Sequence, residues 1–145
     1  MKTKADLSYR QAILLGVATE LTLIAIQFIY MKIYVSNNPG TDFAFTNDYM
    51  KYRGFYIFQI IGFFVYTFTV YLLFSRFQIT SITKILSYII TGAVIELSFY
   101  LFMQTGYEGA FLYSILDKFV AAVFGSILYY STSGKSHNAG TMKKA

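Results

Sequence analysis

Four blocks of roughly 20 apolar residues, joined by short polar links, set what this chain can fold into. They lie at about 11–35, 54–74, 85–103 and 110–130. Coiled as a helix at about 1.5 Å per residue, such a block matches a hydrocarbon core about 30 Å thick. The apolar positions fill each block instead of marking one face. Only 13% of the 145 residues are charged and 56% are hydrophobic, too few charges to cover a water-soluble domain of this size. The pattern reads as an all-α integral membrane protein with four transmembrane helices. Residues 1–10 form an N-terminal segment, 11–131 a single membrane domain, and 132–145 a polar tail expected to be disordered.

Several chemistries fall away at once. Cysteine is absent, which removes disulfides, thiol nucleophiles and thiolate metal sites. The single histidine, His137, lies in the polar tail, so no His-based metal site or serine–histidine pair is expected in the membrane. No cofactor and no catalytic set is evident, and an enzyme is not expected. The net charge of +5 is better explained by membrane topology than by nucleic acid. The basic start "MKTKADLSYR" precedes a long apolar run without a small-residue cleavage site, so that run is expected to remain as a helix.

Lys2, Lys4 and Arg10 precede the first block, Arg76 and Lys84 flank the second link, and Lys135, Lys143 and Lys144 lie in the tail. These positions share one side of a four-span topology and hold eight of the twelve cations. The excess predicts a multi-pass protein of the cell (inner or plasma) membrane with both termini cytoplasmic. Within that layout "GVATEL" (Gly16 to Leu21) and "GAVIEL" (Gly92 to Leu97) head the first and third blocks. The partner blocks also align without gaps from Gly54 and Gly109, sharing Phe64/Phe119, Val65/Val120 and Leu73/Leu128. The chain thus reads as two parallel-repeat helical hairpins with a site between them. The plain alternative is chance similarity, since membrane spans draw on few residue types.

Charges inside the blocks need relief. Glu20 lies about 13 Å from the cytoplasmic end of its span, and Glu96 about 12 Å from the outer end of its own. Lys118, on the descending fourth block, shares the depth of Glu96, which predicts a Glu96–Lys118 ion pair with Asp117 turned about 100° away. Glu20 has no cation at its depth in this reading and is expected to be protonated, wet or paired with a partner or ligand. Gln27 and Gln59 are further polar groups that can line the interior. Each of these residues has a plain structural reading as well, a register-fixing pair or an interhelical hydrogen bond. Ala121 with Gly125, and Ala122 with Ser126, allow close helix approach within the bundle or between subunits.

The layout resembles the GtrA-like family of small four-span membrane proteins. "LLFSRFQI", Leu72 to Ile79, is similar to that family's motif at the end of its second span, and "LDKFVAAVFGSILYY", Leu116 to Tyr130, to its fourth span. Ser75 and Thr19 stand where the family commonly has Asn, and the second Arg-aromatic signature is missing after Tyr130. The resemblance implies translocation (flipping) of a polyprenyl-phosphate-linked sugar for cell-surface polysaccharide or teichoic-acid glycosylation. It implies phosphate contacts at Arg76 and Lys84 on the cytoplasmic side and at Lys51 and Arg53 outside. Lys118 becomes a deeper stepping point, with Glu20, Glu96 and Asp117 contacting sugar hydroxyls or holding Lys118. The partners implied are the lipid, a second copy of the chain, or a membrane glycosyltransferase. Two further readings stand beside it: a non-catalytic subunit of a membrane complex, and a small proton- or cation-coupled transporter or channel.

Overall fold

The computed structural model describes residues 4–40, 55–102 and 110–141. The chain is mostly helical: α1 spans Tyr9–Asn37, α2 Phe55–Arg76, α3 Ile82–Phe102 and α4 Ala110–Thr141. Short strands β1 (Ala5–Asp6) and β2 (Phe77–Gln78) flank α1 and α2. Among the described residues three helices, α1, α2 and α3, are long and apolar enough to cross a membrane. α4 is as long but more polar, with Asp117 and Lys118 in its first half. It also continues as helix to Thr141, where the sequence suggested a disordered tail from residue 132.

Helix ends follow local chemistry. Ser8 caps α1: its hydroxyl accepts from the Gln11 N–H at 3.2 Å, while the Gln11 side chain accepts from the Ser8 N–H at 3.0 Å. At the other end the Asn38 N–H donates to the Val35 carbonyl at 3.3 Å and its side chain to the Tyr34 carbonyl at 2.8 Å. Pro39 cannot continue the ladder, and Gly40 turns the chain with φ of 99°.

Many large apolar side chains face outward, around an interior that holds charged groups within an apolar core. Ile29, Phe64, Phe68 and Phe102 stand outward, with Phe64 65% exposed. Glu20 and Lys118 are buried, at 3% and 7% exposure. An outer surface of this kind is costly in water and favourable in lipid, so the burial pattern points to a membrane protein, as helix length and composition do.

The helices pair across the chain more than along it. α1 runs parallel to α3, touching at Tyr9–Thr83 (2.5 Å between hydroxyls), at Gly16 beside Tyr88 and Thr91, and at Phe28–Phe99 (5.5 Å between ring centroids). α2 runs parallel to α4 through Phe63–Phe124 and Phe74–Tyr129, both 5.7 Å between centroids. Small residues set these distances. A Cβ on Gly16 would lie 2.7 Å from the Tyr88 carbonyl oxygen, and one on Gly125 would lie 3.0 Å from Val70 Cβ. Ala121, Ala122 and Gly125 are buried, so this small-residue stripe serves packing inside the bundle. α3 meets α4 less extensively, and α1 meets α2 only sparsely.

The N-terminal segment straps the end of the bundle that carries Arg76. β1 pairs with β2 in parallel, Ala5 opposite Phe77 and Asp6 opposite Gln78, and the Leu7 N–H donates to the Gln78 carbonyl at 3.2 Å. Leu7 is fully buried below the strap. Lys4 Nζ donates to the Phe74 carbonyl at 2.8 Å and to the Tyr129 hydroxyl at 3.0 Å. Asp6 receives Lys84 Nζ at 2.6 Å and the Thr80 hydroxyl at 3.0 Å. The Lys84 bond holds the Asp6 carboxyl below its ordinary range. A carboxyl lowered in the folded state stabilises above its unfolded value near pH 4 and loses that contribution as pH falls through the folded value. Thermal unfolding between about pH 3 and pH 7 tests this: the gap between the native chain and Asp6→Asn should be widest near neutrality and should close on acidification.

Candidate functional site

The buried residues of α1 are Ala12, Gly16 and Glu20, four apart and therefore on one stripe. That stripe aims the Glu20 carboxylate into the bundle. Tyr66 of α2 donates its hydroxyl to Glu20 Oε2 at 2.7 Å. Lys118 of α4 places Nζ 3.6 Å from the same oxygen and hydrogen-bonds Glu96 Oε2 of α3 in a close ion pair. One ammonium thus serves two carboxylates from two helices. It also lies 5.1 Å from the centre of the Tyr66 ring, a cation–π contact. Tyr66 is itself packed on Tyr88, 5.1 Å between centroids, and the Tyr88 hydroxyl faces Thr19 Oγ1 at 3.4 Å.

The predicted Glu96–Lys118 pair is present, but one expectation needs correction. Glu20 is not without a cation, since Lys118 reaches it. α1 begins at Tyr9 and α3 at Ile82. Glu20 and Glu96 therefore stand about 16 Å and 21 Å from those ends, a gap that a lysine chain spans. Asp117, expected among the site residues, lines the same cavity as Glu20, Glu96 and Lys118. Gln27, Gln59 and the rings of Phe58, Phe63 and Phe99 line it too, and most of its wall comes from α1 and α2. The cavity measures about 50 Å³, room for roughly three or four waters.

Arg76 and Lys84 stand apart from this cluster. Arg76 is exposed at the end of α2. Lys84 is buried and already engaged by Asp6 and by the Thr80 hydroxyl at 2.7 Å, so a phosphate would have to displace the strap to reach it. Lys51 and Arg53 lie outside the described residues.

Tyr66 and Gly92 are the site residues that sequence reasoning missed. A Cβ on Gly92 would collide with the Tyr66 hydroxyl and lie 3.3 Å from Glu20 Oε2. The glycine therefore admits the tyrosine that holds the glutamate. The signal was a hydroxyl on α2 at the depth of Glu20, hidden among many tyrosines. Among the described residues no group of three or more His, Asp or Glu side chains is arranged to hold a metal ion.

Comparison with known protein families, characterised proteins and solved structures finds no match to this chain.

Two outcomes follow from this geometry. Gly92→Ala should lower thermal stability by about 1–3 kcal/mol through overpacking, and Tyr66→Phe in the same chain should recover part of the loss. A double-mutant cycle by unfolding in detergent measures the coupling, and strictly additive losses would show that Gly92 does not make room for Tyr66. Lys118→Ala should cost more, about 3–5 kcal/mol, because two buried carboxylates lose their counter-ion. The same unfolding measurement checks it against Lys118→Arg.

Proposed function

We propose that this chain is a four-span membrane protein that moves a polyprenyl-phosphate-linked sugar across the bilayer, with its sugar-binding groups in the Glu20–Glu96–Asp117–Lys118 cleft. Both termini lie on the cytoplasmic side, and the two hairpins, α1 with α2 and α3 with α4, are parallel repeats. The contacts between equivalent helices support the repeat. Phe74 and Tyr129 are 55 residues apart, as are Val70 and Gly125, which is the offset that aligns the second and fourth blocks. The same offset equates Gly54 with Gly109.

The observation that carries the functional reading is the makeup of the cleft. Carboxylates, amide side chains and flat aromatic rings together are the groups that bind sugar hydroxyls and sugar C–H faces. They sit within an apolar bundle, beside the sparsely packed α1–α2 seam. A headgroup entering laterally at that seam leaves its polyprenyl chain in lipid throughout. At about 50 Å³ the cavity is too small for a sugar ring, so α1 and α2 part to admit it. Arg76, exposed at the cytoplasmic end of α2, receives the phosphate. Lys84 joins it only when Asp6 lets go.

Proteoliposomes holding the full chain and a labelled short-chain polyprenyl-phosphate sugar test this. Exchange between leaflets should exceed that of protein-free vesicles. It should fall by about tenfold or more in Arg76→Ala and in Asp117→Asn, the loss expected for one charge-assisted hydrogen bond. Exchange no faster than in empty vesicles, or unchanged in both variants, rejects the proposal.

A further inference from the structure

Three carboxyl groups, Glu20, Glu96 and Asp117, share one cavity with a single ammonium, Lys118. Fully ionised, they would leave a net charge of minus two within an apolar bundle. Such a site has to be neutralised from outside the cluster. Its acids are not arranged as a metal-holding group among the described residues, and the cavity has room for a few waters. A proton is a neutraliser that this space accepts without rearrangement.

We propose that the cleft is a proton-binding site, that Glu20 Oε1 is the atom that takes the proton, and that Lys118 shifts between Glu20 and Glu96 as the proton binds and leaves. The position of each partner selects Glu20. Tyr66 and Lys118 both approach Oε2. A proton added to Oε1 therefore leaves the Tyr66 bond in place and removes the charge that attracts Lys118. Glu96 already holds Lys118 in a close ion pair, so the ammonium stays neutralised when Glu20 becomes the acid. Asp117 is only partly buried where Glu20 is buried, so one proton on Glu20 relieves the most enclosed charge and the remaining one lies at the more open side of the site. When the proton leaves Oε1 to water, Glu20 regains its charge and draws Lys118 across a 3.6 Å gap. No bond changes beyond that O–H, and the lysine remains an ammonium throughout.

The groups facing Glu20 come from every neighbouring helix: Tyr66 on α2, Tyr88 and Glu96 on α3, and Asp117 and Lys118 on α4. Because Lys118 bridges α4 to α3 in one state and is drawn toward α1 in the other, the proton changes which helices are tied together. Sugar-lipid movement is then proton-linked, a step that rests on the reading given under Proposed function, whereas the proton site does not.

Infrared difference spectra of the full chain in liposomes, recorded between about pH 5 and pH 9, read the site directly. The native chain should show a carboxylic-acid C=O band that titrates, is lost in Glu20→Gln, and changes frequency in Tyr66→Phe because the hydrogen bond to Oε2 is gone. If Glu20→Gln fails to fold, the frequency change in Tyr66→Phe identifies the group. A band that survives Glu20→Gln, or no titrating band in this range, overturns the proton site whatever the transport result. The second arm imposes a pH gradient on proteoliposomes carrying the labelled short-chain polyprenyl-phosphate sugar. The initial rate should change at least about threefold in the native chain and lose its gradient dependence in Glu20→Gln. A titrating band with gradient-independent exchange overturns the coupling and leaves the proton site. A titrating band without any exchange rejects the sugar-lipid reading and leaves the proton site.

Discussion

The middle of the bundle depends on keeping one ammonium and its carboxylates away from lipid. An uncompensated charge near the middle of a bilayer costs about 2.5–3.5 kcal/mol on insertion scales. Lys118 meets Glu96 from α3, Glu20 from α1 and the ring face of Tyr66 from α2, so a single cation ties all four helices together at one depth. The small residues follow from that requirement. Gly92 leaves space for the Tyr66 hydroxyl, while Gly16 and Gly125 let the parallel neighbours close up around the cluster. Apolar side chains have no comparable pull toward the core in lipid, which is why large ones such as Phe64 and Phe102 face outward.

A second set of polar contacts closes the end of the bundle that carries Arg76, and it works by different physics. Lys4 joins the N-terminal strap to α2 and α4, and Asp6 joins it to Thr80 of the α2–α3 link and to Lys84 of α3, with Leu7 buried beneath. Asp6 is half exposed, so this pair is screened by water and salt in a way that the Lys118 cluster is not. The strap nonetheless decides how Lys84 can act. A lysine that reads as a free phosphate contact in the sequence is, in the fold, the residue that fastens the chain's N-terminal segment.

The helices were legible because apolar run length is a local signal, whereas the Ser8–Gln11 capping box that starts α1 at Tyr9 was not read from the sequence. The Glu96–Lys118 pair was legible too, since both residues lie close to the same link between α3 and α4 and depth can be counted from it. Glu20 was misjudged because its depth was counted from a span beginning at Gln11, whereas α1 begins at Tyr9. Its real partners depend on which helices pack side by side. Nothing in residue spacing says that α1 lies against α3 and α2 against α4, so Tyr66 and the reach of Lys118 to Glu20 stayed hidden.

The two matching motifs have taken on different work. Gly16 provides close approach to the α3 backbone, whereas Gly92 provides room for a tyrosine. Glu20 and Glu96 are equivalent under the hairpin alignment, yet the lysine they share has Phe63 as its counterpart in the first hairpin. The first hairpin therefore brings no lysine of its own at the position equivalent to Lys118. One lysine between two acids leaves a choice of partner, and that choice changes with the charge on Glu20. Under the duplicated-hairpin reading, the departure from symmetry at Phe63 and Lys118 is what turns a pair of structural anchors into a site with two arrangements. The proposed movement of a headgroup between leaflets would draw on such a pair of arrangements.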